Sequence, residues 1–129
     1  MTNIETVQAF YTALRSSNYA AVSALLDDDF TLHQAPSLPY GGEYQGVDGI
    51  KTFFQLFFDV WERFSSQRVR YVDVDNHSVL ALSQISATTT TGVDLDMPMA
   101  QVFHVKDGKL LEARPFYWDT AAIVQAVGK

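Results

Sequence analysis

The stretch VFHVKDGKLLEARPFYWD, Val102 to Asp119, decides the fold. Asp107-Gly108 favours the two-residue turn of a β-hairpin, and residues of alternating character flank it on both sides. Two antiparallel strands are therefore predicted, over about residues 93–106 and 109–118. In the second, alternation places Arg114, Phe116 and Trp118 on one face. A permanently charged guanidinium beside two large aromatics marks either a wet surface or a pocket wall where a cation has a task.

Working back from this hairpin, the period-two pattern continues over about residues 67–75 and 78–90, with turn signals at Asn76 and Gly92. Upstream of the strands the period changes. Asp48 can cap a helix carrying Ile50, Phe53, Phe54, Phe57, Val60, Trp61 and Phe64, and Leu56 and Phe58 widen its apolar surface beyond one stripe. The Pro- and Gly-rich segment APSLPYGGEYQG before it reads as a loop, and Phe30, Leu32 and Gln34 alternate as a short strand. Asp27-Asp28-Asp29 opposes the dipole of a preceding helix and ends it. That helix starts at Asn18 and packs Val22, Leu25 and Leu26. The first helix opens with a capping box, Thr2 and Glu5, and repeats Ile4, Val7, Tyr11 and Leu14 at helical spacing. Asp119 or Thr120 caps a closing helix with Ile123 and Val127. Helices first and an antiparallel meander afterwards predict an α+β fold, with the helices on one face of the sheet.

Bulk properties narrow the function classes. A chain of 129 residues, 47% hydrophobic and 13% aromatic, supports one globular domain over residues 1–129. Its net charge of −6, without any cluster of Lys and Arg, excludes nucleic-acid binding. The absence of cysteine removes disulfides and thiolate chemistry, which suits a reducing compartment. The first residues, MTNIETVQAF, lack the pattern of a signal peptide, and IKTFFQLFFDVW is too short and too charged to span a bilayer. A cytoplasmic location without membrane contact is the expectation.

The phrases "FYTAL", "LLDDDFTLHQAP", "YGGEYQGVDGIKTFF" and "VFHVKDGKLLEARPFYWD" cover nearly the whole chain. Together they resemble the SnoaL-like branch of the NTF2-like superfamily, which also holds ketosteroid isomerases, scytalone dehydratase and limonene-epoxide hydrolase. The resemblance implies a strongly curved antiparallel sheet wrapped into a cone and closed by the N-terminal helices around a deep apolar cavity. Members run different reactions on this fold, so the site must be argued separately. On such a cone Arg114, Phe116 and Trp118 would line the cavity, with Met97, Met99, Gln101 and Phe103 beside them. Leu82, Gln84, Ser86 and Thr88 would come from the strand before, and Phe30, Leu32 and Gln34 from the first strand. Phe53 and Phe57 would complete the apolar wall, with Tyr40 and Tyr44 shaping a lid at the mouth.

The chemical template is the ketosteroid isomerase site: a carboxylate base, with a Tyr and a protonated Asp donating to an oxyanion. Tyr11 of "FYTAL" matches the Tyr, Gln34 of "TLHQ" the base and Gln101 of "AQVF" the protonated Asp. An amide cannot take up a proton at neutral pH, so Gln34 cannot be that base, whereas Gln101 can still donate a hydrogen bond. His33 and Asp119 are the remaining candidates for moving a proton. Asp119 also sits where a helix needs an N-cap, and His33 alternates with Gln34 unless a bulge turns it inward. His77 falls in a turn and His104 faces away from the cavity. Arg114 would hold an anionic group, or pair internally with Glu112 or Glu43. No histidine pair has metal-ligand spacing, and neither metal nor nucleotide cofactor is implied.

Two functions follow. The first is an isomerase or cyclase moving protons on a small, mostly apolar carbonyl compound. The second is a non-catalytic binding module that keeps the cavity without the carboxylate base. Ile85, Ala87, Ala100, Val102 and Tyr117 are assigned to the outer sheet face, an apolar surface suited to a homodimer.

Overall fold

The computed structural model describes residues 1–128. Its elements run α1 (Asn3–Arg15), α2 (Tyr19–Leu25), β1 (Leu26–Gln34), β2 (Gly42–Gln45), α3 (Gly46–Val60), β3 (Trp61–Asp73), β4 (Ser78–Thr89), β5 (Asp94–Lys106), β6 (Lys109–Tyr117) and α4 (Thr120–Ala126). The six strands form one curved, open sheet in the order β2-β1-β6-β5-β4-β3. Every neighbouring pair is antiparallel except β1 and β6. This is the α+β class expected, with α1 and α3 closing the concave side over an aromatic core. Phe10 of α1 meets Phe103 of β5 edge to face, with centroids 5.8 Å apart, and Phe30 packs behind them.

Local chemistry sets the element ends. Thr2 and Glu5 form the capping box reciprocally, at 3.1 and 2.8 Å. Asn18 and Asp119 each accept a backbone N–H, from Ala21 and Ala122, and so cap α2 and α4. The helix before the three aspartates stops at Leu25, and the aspartates lie in β1. Asp107 and Gly108 both hold positive φ, 52° and 79°, as a two-residue turn between paired Lys106 and Lys109 requires. Gly41 is fixed by space: a Cβ there would lie 2.4 Å from the Ala35 carbonyl oxygen.

Three expectations change. Asp48 lies inside the first turn of α3, where its charge favours the dipole, while Gln45 is the N-cap and makes no side-chain cap bond. The helix ends at Val60, and Trp61 to Phe64 belong to β3, since Trp61 pairs with Thr89 and its indole N–H donates to Tyr40 Oη at 3.2 Å. The Pro- and Gly-rich segment also contributes a strand, β2, paired with the end of β1.

The larger correction concerns which faces point inward. His104 faces Glu112 but Val105 faces Leu110, so Leu111 has no partner and forms a bulge. Leu110 is buried before it, and Ala113 and Pro115 are buried after it. Arg114, Phe116 and Trp118 consequently point outward, Phe116 being 53% and Trp118 79% exposed. On β4 the buried residues are Val79, Ala81, Ser83, Ile85, Ala87 and Thr89. Leu82, Gln84, Ser86 and Thr88 are therefore on the outer face, and Ile85, Ala87 and Tyr117 are not. Both faces of β4 carry apolar residues, so polarity alone does not assign its phase. Ser83 satisfies itself inside by donating to the Met99 carbonyl at 3.3 Å. Met97, Met99, Gln101 and Phe103 are buried as expected, as are Phe30, Leu32 and Gln34.

These phases predict opposite outcomes for two aromatic truncations. Phe103→Ala, at a fully buried position, costs about 3–5 kcal/mol of unfolding free energy. Trp118→Ala changes it by no more than about 0.5 kcal/mol. Urea denaturation of both variants measures the difference.

Candidate functional site

Between the helices and the concave face lies a cavity of about 570 Å³, the size of a small-molecule site. α3 supplies its apolar wall through Ile50, Phe53, Phe54 and Phe57, with Phe58 half out at the mouth. Phe53 meets Phe54 and Phe57 with centroids near 5 Å, at 5.1 and 5.2 Å. Met99 and Pro115 line the sheet side, and Phe10, Leu14 and Tyr19 the side of α1 and α2.

Polar groups gather at one region of this wall. The Tyr11 hydroxyl donates to Gln101 Oε1 at 2.9 Å, both side chains being buried. The guanidinium of Arg68 lies over the Tyr11 ring, 3.8 Å from its centroid, and donates through Nη1 to Ser66 Oγ. Desolvation raises the Tyr11 pKa well above its ordinary value, and the nearby Arg68 charge opposes this only in part. Tyr11 thus stays protonated at physiological pH. Gln34 Oε1 and Arg68 Nε are buried without a hydrogen-bond partner in the protein.

Arg68 reaches the cavity through a second irregularity. Arg68 pairs with Ser83 and Arg70 with Leu82, leaving Val69 unpaired and 66% exposed. Ser66 and Arg68 face inward before this bulge and Tyr71 after it, as their partners Ile85, Ser83 and Ala81 show. Strict alternation gives Arg68 and Arg70 one face, and the bulge separates them.

The expected site residues divide into three groups. Tyr11, Gln34, Phe53, Phe57, Met99 and Gln101 line the cavity together. Met97 and Phe103 are buried core side chains, and so is Tyr40, whose hydroxyl donates to Tyr117 Oη at 3.0 Å. Tyr44 donates to the Tyr40 carbonyl at 2.9 Å, so the pair anchors the loop and does not form a lid. The third group lies elsewhere. Arg114 and Phe116 line a smaller hollow of about 420 Å³ beside His33, behind β1 and β6. There His33 Nδ1 lies 3.0 Å from Glu43 Oε2, and Nε2 3.4 Å from Glu112 Oε2. Asp119 is the cap of α4, and Trp118 is exposed. Among the described residues Arg114 makes no ion pair, so the expected pairing with Glu112 or Glu43 is replaced by theirs with His33.

An open curved sheet closed by helices over a hollow of this kind defines the NTF2-like class. Within that class the chain belongs to the SnoaL-like domain family, whose model matches residues 7–113. An NTF2-like protein from Burkholderia thailandensis E264 is similar over 100% of this chain and 99% of its own, at 23% identity and a TM-score of 0.87. TerC, co-crystallized with polyporic acid, is similar over 98% of each chain at 18% identity and a TM-score of 0.84. A protein from Catenulispora acidiphila DSM 44928 with a ketosteroid isomerase-like fold, in complex with trimethylamine, is similar at 15% identity and a TM-score of 0.75. That alignment covers 99% of this chain and 95% of the other. At these identities the likeness is one of fold. No curated protein sequence matches the chain significantly. Among the described residues no helix is long and apolar enough to cross a membrane.

Burial also raises the pKa values of Tyr40 and Tyr117. A folded-state pKa above the unfolded 10.0 leaves stability unaffected by these groups below that pH. Above it the unfolded chain sheds phenolic protons that the folded chain retains, so stability falls as pH rises. Urea unfolding from about pH 8 to 11 is expected to show this loss, with a shallower slope in Tyr11→Phe.

Proposed function

We propose that this chain binds a small, mostly apolar carbonyl compound in the cone cavity and does not itself move a proton. The observation that carries the reading is the lining. Among the described residues it holds aromatics, methionine, hydroxyls, amides and arginines, but no carboxylate and no imidazole. Gln34 and Gln101 occupy the two acid positions of the isomerase template, and Tyr11 is too weak an acid to leave a phenolate base near neutral pH. The Gln101 carbonyl is taken by Tyr11, leaving its NH₂ to donate to a guest's carbonyl oxygen. The Gln34 amide lines the same cavity, with its Oε1 buried and without a partner. Solved relatives of this fold, TerC with polyporic acid among them, were obtained with small organic molecules.

The isomerase or cyclase alternative needs a proton acceptor in the cavity. His33 and Asp119, the two candidates, stand outside its lining. For the outer face we propose a homodimer, supported by half-buried Leu80, Leu82, Ala100 and Val102 beside exposed Phe116. Sedimentation velocity giving a monomer at micromolar concentration removes the dimer.

Methyl β-naphthyl ketone supplies a direct test of binding. One molecule per chain is expected by calorimetry, with affinity lost in Met99→Trp, which fills the cavity. Tyr11→Phe weakens it about 3- to 10-fold by freeing the Gln101 amide. His33→Ala and Asp119→Asn leave it unchanged. In D₂O the protein is expected not to speed deuterium exchange at the methyl group. Acceleration there restores the proton-transfer reading.

A further inference from the structure

Arg68 is a cation in a largely apolar wall with no counter-ion among the described residues. Among the described residues it makes no ion pair, its Nε is buried without a partner, and its contacts are Ser66 Oγ and the face of Tyr11. A hydroxyl and an aromatic ring solvate a guanidinium only partly, and neither neutralises it. Arg15, exposed on the last turn of α1, adds a second positive charge to the lining. The surrounding chain carries a net charge of −6, so two arginines without an acid in this cavity run against the whole molecule's balance. Arg114, to which anion binding was first assigned, faces the other side of the sheet.

We infer that the cavity selects guests bearing an anionic oxygen, a carboxylate first of all, which docks on Arg68 while the apolar body lies against Phe53, Phe57 and Met99. This rests on the binding reading above and names its substrate class. The guanidinium edge is suited to such a group: its planar donors match a carboxylate's two oxygens, and the low-dielectric walls strengthen the contact. Ser66 and Tyr11 hold the guanidinium from one edge and one face, which fixes its aim before a guest arrives.

The test compares guests of nearly one shape and different charge on the full chain, by calorimetry at neutral pH and low salt. β-Naphthoate is expected to bind about 10-fold or more tighter than methyl β-naphthyl ketone, and β-naphthylmethylammonium more weakly than either. The lead of the carboxylate shrinks in high salt. Arg68→Met abolishes it, read as the ratio of carboxylate to ketone affinity within that variant, and Arg114→Met leaves the ratio unchanged. Equal affinities for carboxylate and ketone in the unaltered chain overturn the inference while leaving carbonyl binding intact. A lead that survives Arg68→Met overturns the role of Arg68. Where Arg68→Met does not fold, the order of the three guests in the unaltered chain decides, and the ammonium binding best overturns the proposal. Binding of the carboxylate alone supports the inference and rejects the neutral carbonyl reading. Binding of none rejects both.

Discussion

Two unpaired residues, Val69 and Leu111, determine what this protein can hold. A bulge advances the side-chain phase by one, so everything beyond it changes face. At Leu111 the change brings Ala113, Pro115 and Tyr117 to the concave side and sends Arg114, Phe116 and Trp118 out. At Val69 it separates two arginines that would otherwise share a face, keeping Arg68 inside and Arg70 outside. Bulges also add local twist, and a sheet of long strands needs that twist to curve around a hollow. Shape and chemistry of the cavity therefore have a common origin in the backbone.

The cavity survives because its ends are held by polar contacts that apolar packing alone would not specify. Tyr11 joins α1 to β5 through Gln101 and to β3 through Arg68. Tyr40 performs a similar task for the loop before β2. It donates to Tyr117 of β6 and accepts from the indole of Trp61, while Tyr44 bonds its carbonyl. Buried polar bonds of this kind are worth little net when made but costly when broken, so they favour one arrangement over looser alternatives. With both clusters fixed, the phenylalanines of α3 rest against each other and against Tyr40, leaving the space before them open.

The fold was legible where short-range chemistry governs. The capping box, the Asn18 and Asp119 caps and the Asp107-Gly108 turn each depend on a few adjacent residues, and each holds in the structure. Resemblance in "FYTAL" and "AQVF" also placed Tyr11 and Gln101 together, 90 residues apart in sequence. On β6 alternation grouped Arg114, Phe116 and Trp118 correctly, but the bulge at Leu111 sets which face they take. A leucine that bulges has the same hydrophobicity as one that pairs, so Leu111 carries no local mark of its role. On β4, Leu80 and Leu82 outside are as apolar as Val79 and Ile85 inside, and only the partner strand resolves the choice. Arg68 and Arg114 each sit beside a bulge that resets the face of their strand, and neither bulge has a mark in the local sequence.

Charge arrangement explains why an amide, rather than an acid, suits position 101. Gln101 and Arg68 meet the same tyrosine, one at its hydroxyl and the other at its ring face. A carboxylate at 101 would lie within strong Coulomb reach of that guanidinium and would remain ionised beside it. The cation's charge would then be neutralised from within, and an acidic guest would meet a second negative group. An amide of the same shape keeps the hydrogen bond to Tyr11 while adding no charge. A neutral residue at 101 thus leaves the charge of Arg68 uncompensated from that side of Tyr11.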